Sequence, residues 1–229
     1  MINGGTGRAV RRWLRDNGLF LANFGLFAVF LVGLALTGWH AYNGNQAEHQ
    51  QAAVGLWQYL HTGDFVEAVF ENWESEFLQM GSYVLLTAYL FQRGSAESKD
   101  PDQPNPQDAD AQEADKRGDV PWPVRRGGWV LKVYENSLLL FFVVMFLLSF
   151  VLHALGGAAA YNEDQQAHGE AAVSLGKFLQ TAQFWDQSMQ NWQSDFLAVA
   201  SIVLVSVWLR QRGSAESKPV AARHSETGT

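Results

Sequence analysis

From Leu19 to Trp39 the chain reads LFLANFGLFAVFLVGLALTGW, with no Lys, Arg, Asp or Glu. A second such run, LLLFFVVMFLLSFVLHAL, extends from Leu138 to Leu155. A charge-free apolar stretch of about 18 residues or more is long enough to cross a bilayer as a helix. These two runs decide the class: an all-α membrane protein. Whole-chain averages conceal them. The 229 residues are 48% hydrophobic and 17% charged, and the mean hydropathy is −0.10. The net charge of −7 and the lack of a basic, aromatic-interleaved stripe argue against a nucleic-acid partner. With no Cys, disulfides, thiolate metal sites and a Cys nucleophile are excluded.

The second run belongs to a larger duplication. Asn17 to Lys99 aligns with Asn136 to Lys218 without a gap, and about 37 of the 83 aligned positions are identical. Tyr42-Asn43 returns as Tyr161-Asn162, Gln46 and His49 as Gln165 and His168, and Asn72-Trp73-x-Ser75 as Asn191-Trp192-x-Ser194. Glu76 becomes Asp195, which keeps the carboxylate. QRGSAESK, Gln92 to Lys99, returns unchanged as Gln211 to Lys218.

Each copy holds an apolar span, a polar and aromatic stretch, and a shorter apolar span. The second span is Phe77 to Phe91 or Phe196 to Leu209. About 15 apolar residues are marginal for crossing. However, Val66, Phe70, Trp73, Phe77 and Met80 recur at steps of three and four, with Glu67, Glu71 and Glu74 off that stripe. This pattern predicts one helix over 64–92, with amphipathic first turns above the membrane. Between the spans, His49, Ala53, Leu56 and Leu60 predict a separate amphipathic helix over 46–60, repeated by His168, Ala172, Leu175 and Leu179. Thr62-Gly63-Asp64 reads as a stop followed by an N-cap.

Basic residues set the orientation. Arg8, Arg11, Arg12 and Arg15 precede the first span, and Arg93 and Lys99 follow the second. Lys116, Arg117, Arg125, Arg126 and Lys132 precede the third, and Arg210, Arg212, Lys218 and Arg223 follow the fourth. Residues 43–76 contain no Lys or Arg, and 162–195 contain only Lys177. The positive-inside rule therefore predicts cytoplasmic termini and linker, with both acidic segments outside. Tryptophans near the span ends fit an interfacial belt. The first run exceeds a signal-peptide core and recurs internally, which favours a retained span.

The expected organisation is a basic N-terminus over 1–16, a first repeat over 17–99 with spans near 19–39 and 75–92, and a disordered linker over 100–123. A second repeat covers 124–218, with spans near 137–158 and 194–210, before a tail over 219–229. Gly94 and Gly213 are expected as helix C′ residues. Two units with the same in-out-in path are parallel repeats, which predicts a four-helix bundle with a pseudo-two-fold axis along the membrane normal. Small residues would form its close contacts: Gly33, Thr37 and Gly38 in one copy, and Gly156, Gly157, Ala158 and Ala159 in the other.

The segment Asn72 to Gln79, the twin QRGSAESK tails and the run Tyr161 to Gly169 resemble a bacterial family of tandem two-helix membrane proteins. That family is catalogued only as a domain of unknown function. The resemblance covers nearly the whole chain outside the linker and termini. It implies a four-span protein of the bacterial cytoplasmic membrane and lends no activity, cofactor or catalytic residue.

The outward segments hold the candidate site residues. His49 and Glu76, with His168 and Asp195, could meet on the pseudo-two-fold axis around a divalent cation, with His40, His61 and His153 as further ligands. No metal motif of fixed spacing supports this, and no cofactor is expected. The alternative is structural. Tyr42, Asn43, Gln46, His49, Asn72, Trp73 and Glu76 form one hydrogen-bonded cluster in this reading. Tyr161, Asn162, Gln165, His168, Asn191, Trp192 and Asp195 form the other. Glu76 and Asp195 are also candidates for a cation or proton site, because ionisable residues in spans mark ion paths. His153, aligned with Leu34, reads either as a protonatable switch or as a hydrogen bonder to a neighbouring helix. The repeated tails could dock a cytoplasmic partner.

These readings predict a non-enzymatic structural or accessory membrane component that works through contacts with a homo-oligomer or a membrane-complex partner. The alternative is a small cation or proton transporter or channel working as a homodimer.

Overall fold

A computed structural model describes residues 4–111 and 120–228. Among them no strand occurs, and nine α-helices make up the ordered elements: α1 (Gly4–Asp16), α2 (Gly18–Glu48), α3 (Leu56–Tyr59), α4 (Gly63–Tyr89), α5 (Trp122–Arg126), α6 (Gly128–Glu135), α7 (Ser137–Ala167), α8 (Leu175–Phe178) and α9 (Ala182–Val205). Two of them, α2 and α7, are long and apolar enough to cross a membrane.

Aligned residues start and stop these two helices in the same way. Asn17 bonds through its amide to the Trp13 carbonyl at 2.8 Å, and Asn136 bonds to that of Lys132 at 2.8 Å; each marks the joint before a long helix. At the far ends, Gln51 N–H bonds to Gln46 O (2.8 Å) and Glu170 N–H to Gln165 O (2.7 Å). These six-to-one bonds close a Schellman-type end, which needs a left-handed residue at C′. Gln50 (φ 57°) and Gly169 (φ 76°) supply it. The separate helix expected over 46–60 is thereby overturned. Residues 46–48 complete α2, and only Leu56–Tyr59 forms a further turn of helix.

Beyond each of these ends, one asparagine ties the non-helical connection back to the long helix. Asn43 accepts from Val54 N–H at 2.8 Å and donates to Val54 O at 3.0 Å. Asn162 does the same to Val173, at 2.7 and 3.0 Å. The N-cap of α4 is Thr62, whose Oγ1 accepts from Phe65 N–H, rather than the expected Asp64. Thr181 repeats this cap for α9.

Helix α4 lies along α7, and α9 packs mainly against α4. Glycines set the α4–α7 spacing. A Cβ on Gly63 would stand 2.6 Å from Gly156 O, and one on Gly156 would stand 2.6 Å from Glu67 N. The residues aligned with Gly63 and Gly156 are Ala182 and Thr37, so α9 and α2 lack the means for an equally close approach. Gly33, expected at a helix seam, meets nothing within 4 Å, and Gly38 and Gly157 instead seat the aromatic rings of Tyr59 and Phe178. Helix α2 touches α4 through Phe27 and Trp73, whose rings lie 5.9 Å apart. None of its most apolar window is buried, against 17% for α7. The small core sits where α7, α8 and α9 meet: Ala154, Ala158, Phe178 and Phe184, with Phe150, Tyr161, Val173 and Leu179 around them.

Gly94 (φ 85°) and Gly213 (φ 86°) do not stop the helices, which end before Leu90 and Ser206. Each lies within a tight turn closed by Ser95 N–H to Gln92 O (3.1 Å) or Ser214 N–H to Gln211 O (3.2 Å). Ser98 Oγ accepts from Gln92 N–H and donates to Lys99 O; Ser217 Oγ does so with Gln211 and Lys218. Ser95 and Ser214 each accept from the N–H two residues on. In both copies the two serines of QRGSAESK thus bond the turn's own backbone, which is a physical reason for the identity of those serines. The lysines then diverge. Lys99 bonds to Ala88 O and to Asp108 of the linker, whereas buried Lys218 donates to the carbonyls of Arg223, His224 and Glu226. Of the linker expected to be disordered, residues 112–119 lie outside the described residues. Residues 100–111 include a 3-10 turn, Pro106–Asp108.

Candidate functional site

Asp64, Glu67, Glu71 and Glu74 succeed one another on α4 at steps of three, four and three. That spacing puts four carboxylates on one face of the helix. It is the side that meets α7 and α9. Glu74, at the inner end of the row, is fully buried. Its Oε2 accepts from His153 Nδ1 of α7 at 2.7 Å. Its Oε1 accepts from Ser188 Oγ (3.2 Å) and Trp192 Nε1 (3.1 Å) of α9. The carboxylate therefore has a donor from each neighbouring helix. His153 is also fully buried, and its ring stacks on Phe184 with centroids 4.8 Å apart.

Burying an ion pair costs several kcal/mol per charge unless hydrogen bonds satisfy both partners. Glu74 meets that condition, while His153 meets it on one side only. Its Nε2 has no hydrogen-bond partner of ordinary geometry, nor has Gln187 Oε1. The Gln187 side chain interacts with the His153 ring, and its Nε2 donates to Glu67 Oε1 at 2.7 Å. Glu67 and Gln187 thus form one hydrogen-bonded pair and His153 and Glu74 another, with Gln187 beside the imidazole.

Glu67, itself nearly buried, borders a cleft. With Asp64, Tyr42, Gln46, His49 and Glu163 it lines this space of about 220 Å³ between the ends of α2 and α7 and the start of α4. The cleft lining contains no Lys or Arg. Tyr42 donates to Glu163 across it, joining α2 to α7, and Gln46 donates to Tyr42 Oη at 3.3 Å. Burial pushes the Asp64 carboxyl above its ordinary value, and the charge of Glu163 adds to this. Burial also raises Glu67, against the pull of the Gln187 hydrogen bond. Burial, then the bond to Glu163, raises the Tyr42 phenol.

The expected polar clusters are distributed differently. Asn43 and Asn162 serve the connections after α2 and α7. Asn72 and Asn191 bond to Ala68 O and Gln187 O of their own helices, so Asn72 is not tied to His49. His49 and His168 bond to Asn45 O and Asp164 O, with their rings 5.1 Å apart. Gln165 bonds to Glu170, and Tyr161 packs on Phe178. Trp73 packs on Phe27, Phe70 and Phe77, whereas the aligned Trp192 bonds to Glu74. Glu76 and Asp195 lie close enough to interact, and Asp195 O accepts from Gln79. The proposed four-ligand metal site does not assemble. Among the described residues no three His, Cys, Asp or Glu side chains gather with metal-binding geometry. His40 packs against Trp39, and His61 bonds to Trp57 O.

Sequence reasoning took Glu67, Glu71 and Glu74 only as lying off the apolar stripe and so missed the carboxylate row, whereas the expected bond of His153 to a neighbouring helix is the one to Glu74. The available signal was the three-four-three carboxylate spacing, together with a histidine inside an apolar run where the aligned residue is Leu34. The residues aligned with Glu74 and Ser188 are Gln193 and Val69, so the pair occurs in one half alone.

No curated protein and no solved structure matches the chain. Residues 10–229 match a family described as a domain of unknown function (DUF6766), and the chain belongs to that family.

Proposed function

We propose that this is a non-enzymatic, multi-pass protein of the bacterial cytoplasmic membrane that takes up protons at Glu74–His153 from its outer side. In this reading α2, α4, α7 and α9 are the four spans of two parallel repeats, and both termini are cytoplasmic. One observation carries the proposal. A fully buried carboxylate–imidazole pair, 2.7 Å apart, lies beside Gln187, which donates to Glu67 at the lining of an acidic cleft. Ionisable groups at membrane depth are expensive and mark ion or proton paths. Imidazole titrates near physiological pH, so His153 is suited to receive the proton.

The test uses the purified full-length chain in liposomes loaded with a pH-sensitive dye. An imposed potential should drive proton flux that Glu74→Gln or His153→Gln abolishes. Infrared spectra of the wild type should show a carboxyl band that changes with pH and is lost in Glu74→Gln. Absence of both signals would overturn the reading. The topology has its own check. Cys at Asn45 or Asp164 should react with an impermeant reagent in intact cells, and Cys at Arg212 only after lysis.

A second reading is favoured by the bare apolar surface of α2. There the chain is a structural or accessory component, and α2 receives a helix of a second copy or of a membrane-complex partner. Stable co-purification with such a partner, and no proton flux, would support it over the first.

A further inference from the structure

We infer that α1 is an interfacial helix that binds anionic phospholipid headgroups. Gly4–Asp16 reads GGTGRAVRRWLRD. Arg8, Arg11, Arg12 and Arg15 recur at steps of three, one and three, which lines them along one face of the helix. Together they frame an open groove. Val10, Trp13 and Leu14 project from the opposite face and are about half exposed, at 55%, 56% and 49%.

A short helix with arginines on one face and Trp, Leu and Val on the other lies in the plane of a membrane interface, its apolar face sunk below the headgroups. Charge and continuity identify the occupant. The segment carries four arginines and one acid, Asp16, which pairs with Arg15 at 2.8 Å and Arg12 at 3.7 Å. A net positive stripe fits an anionic lipid surface. Helix α2 begins at Gly18, directly after the Asn17 joint; the inference rests on the proposed reading of α2 as a span, which would hold α1 at the height of the headgroups. Each arginine near an anionic surface contributes about 1 kcal/mol, or about fivefold in binding. Neutralising two of them should weaken docking about 25-fold by the same measure.

The chain has no Cys, so single labels can be placed on it without background. The full-length protein carrying Val10→Cys or Arg11→Cys, each labelled with an environment-sensitive fluorophore, is reconstituted into vesicles. One set is phosphatidylcholine; the other also contains phosphatidylglycerol, and both carry a shallow lipid-borne quencher. The expected result is strong quenching at position 10, weak quenching at position 11, and a marked rise at position 10 with phosphatidylglycerol that high salt reverses. Arg8→Gln with Arg12→Gln should remove the phosphatidylglycerol dependence, and Arg8→Lys with Arg12→Lys should keep it. Equal quenching at positions 10 and 11, or no phosphatidylglycerol dependence, would overturn the inference. Self-quenching between labelled copies in place of lipid quenching would assign the face to a second copy and overturn it as well.

Discussion

His153 of α7 and Glu74 of α4 meet at 2.7 Å with neither side chain open to solvent. Removing one partner of such a pair strands the other as a buried charge, which costs about 3–5 kcal/mol. His153→Leu alone should therefore destabilise the protein in detergent by about that amount. Replacing the pair together, His153→Leu with Glu74→Met, should recover most of the loss. Denaturation of the single and double variants measures the coupling. Strict additivity would mean that the pair is not coupled.

Asp64 predicts a pH dependence. Its carboxyl is raised by burial and by the charge of Glu163, so the folded chain holds the proton more tightly than the unfolded one. The stabilising contribution is then complete below the ordinary carboxylate value of 3.8 and is lost as pH rises through the folded value. Asp64→Asn should raise the melting temperature at neutral pH, with the gain shrinking towards acid pH. Thermal melts of both proteins across that range check the sign.

The two asparagine bridges predict matched effects in the two halves. Asn43 and Asn162 each make two bonds to one backbone unit, at Val54 and Val173. Alanine at either position leaves these groups without their partner, at a cost of about 1–3 kcal/mol. Hydrogen exchange should accelerate at Val54 in Asn43→Ala and at Val173 in Asn162→Ala, each without affecting the other.

Gln50 holds φ 57° where the aligned Gly169 holds 76°. A non-glycine residue pays about 1–2 kcal/mol for that left-handed conformation. Gln50→Gly should stabilise the chain by about 1 kcal/mol, and Gly169→Gln should destabilise it by a similar amount. Equilibrium unfolding of the two variants should show opposite signs.

Local chemistry made much of the architecture legible. The charge-free runs 19–39 and 138–155 lie inside α2 and α7, because a helix that long needs only continuous apolar side chains. The long second helix was also readable from Val66, Phe70, Trp73, Phe77 and Met80, although its Thr62 cap was not. The end of α2 was misread at Gln46, because the stop depends on a left-handed Gln50 and on Asn43 reaching Val54, neither of which periodicity reports.

By itself, the sequence determined where the four long helices α2, α4, α7 and α9 lie and which residues correspond between its two halves. Only the tertiary structure decided which polar face is buried. A row of acids such as Asp64, Glu67, Glu71 and Glu74 looks the same on a water-facing helix and on one pressed against a neighbour. Gly63 and Gly156 let α4 and α7 close on each other, and that approach brings Glu74 to His153. Ala182 and Thr37 stand at the aligned positions in the other half, so a repeated sequence yields an asymmetric site.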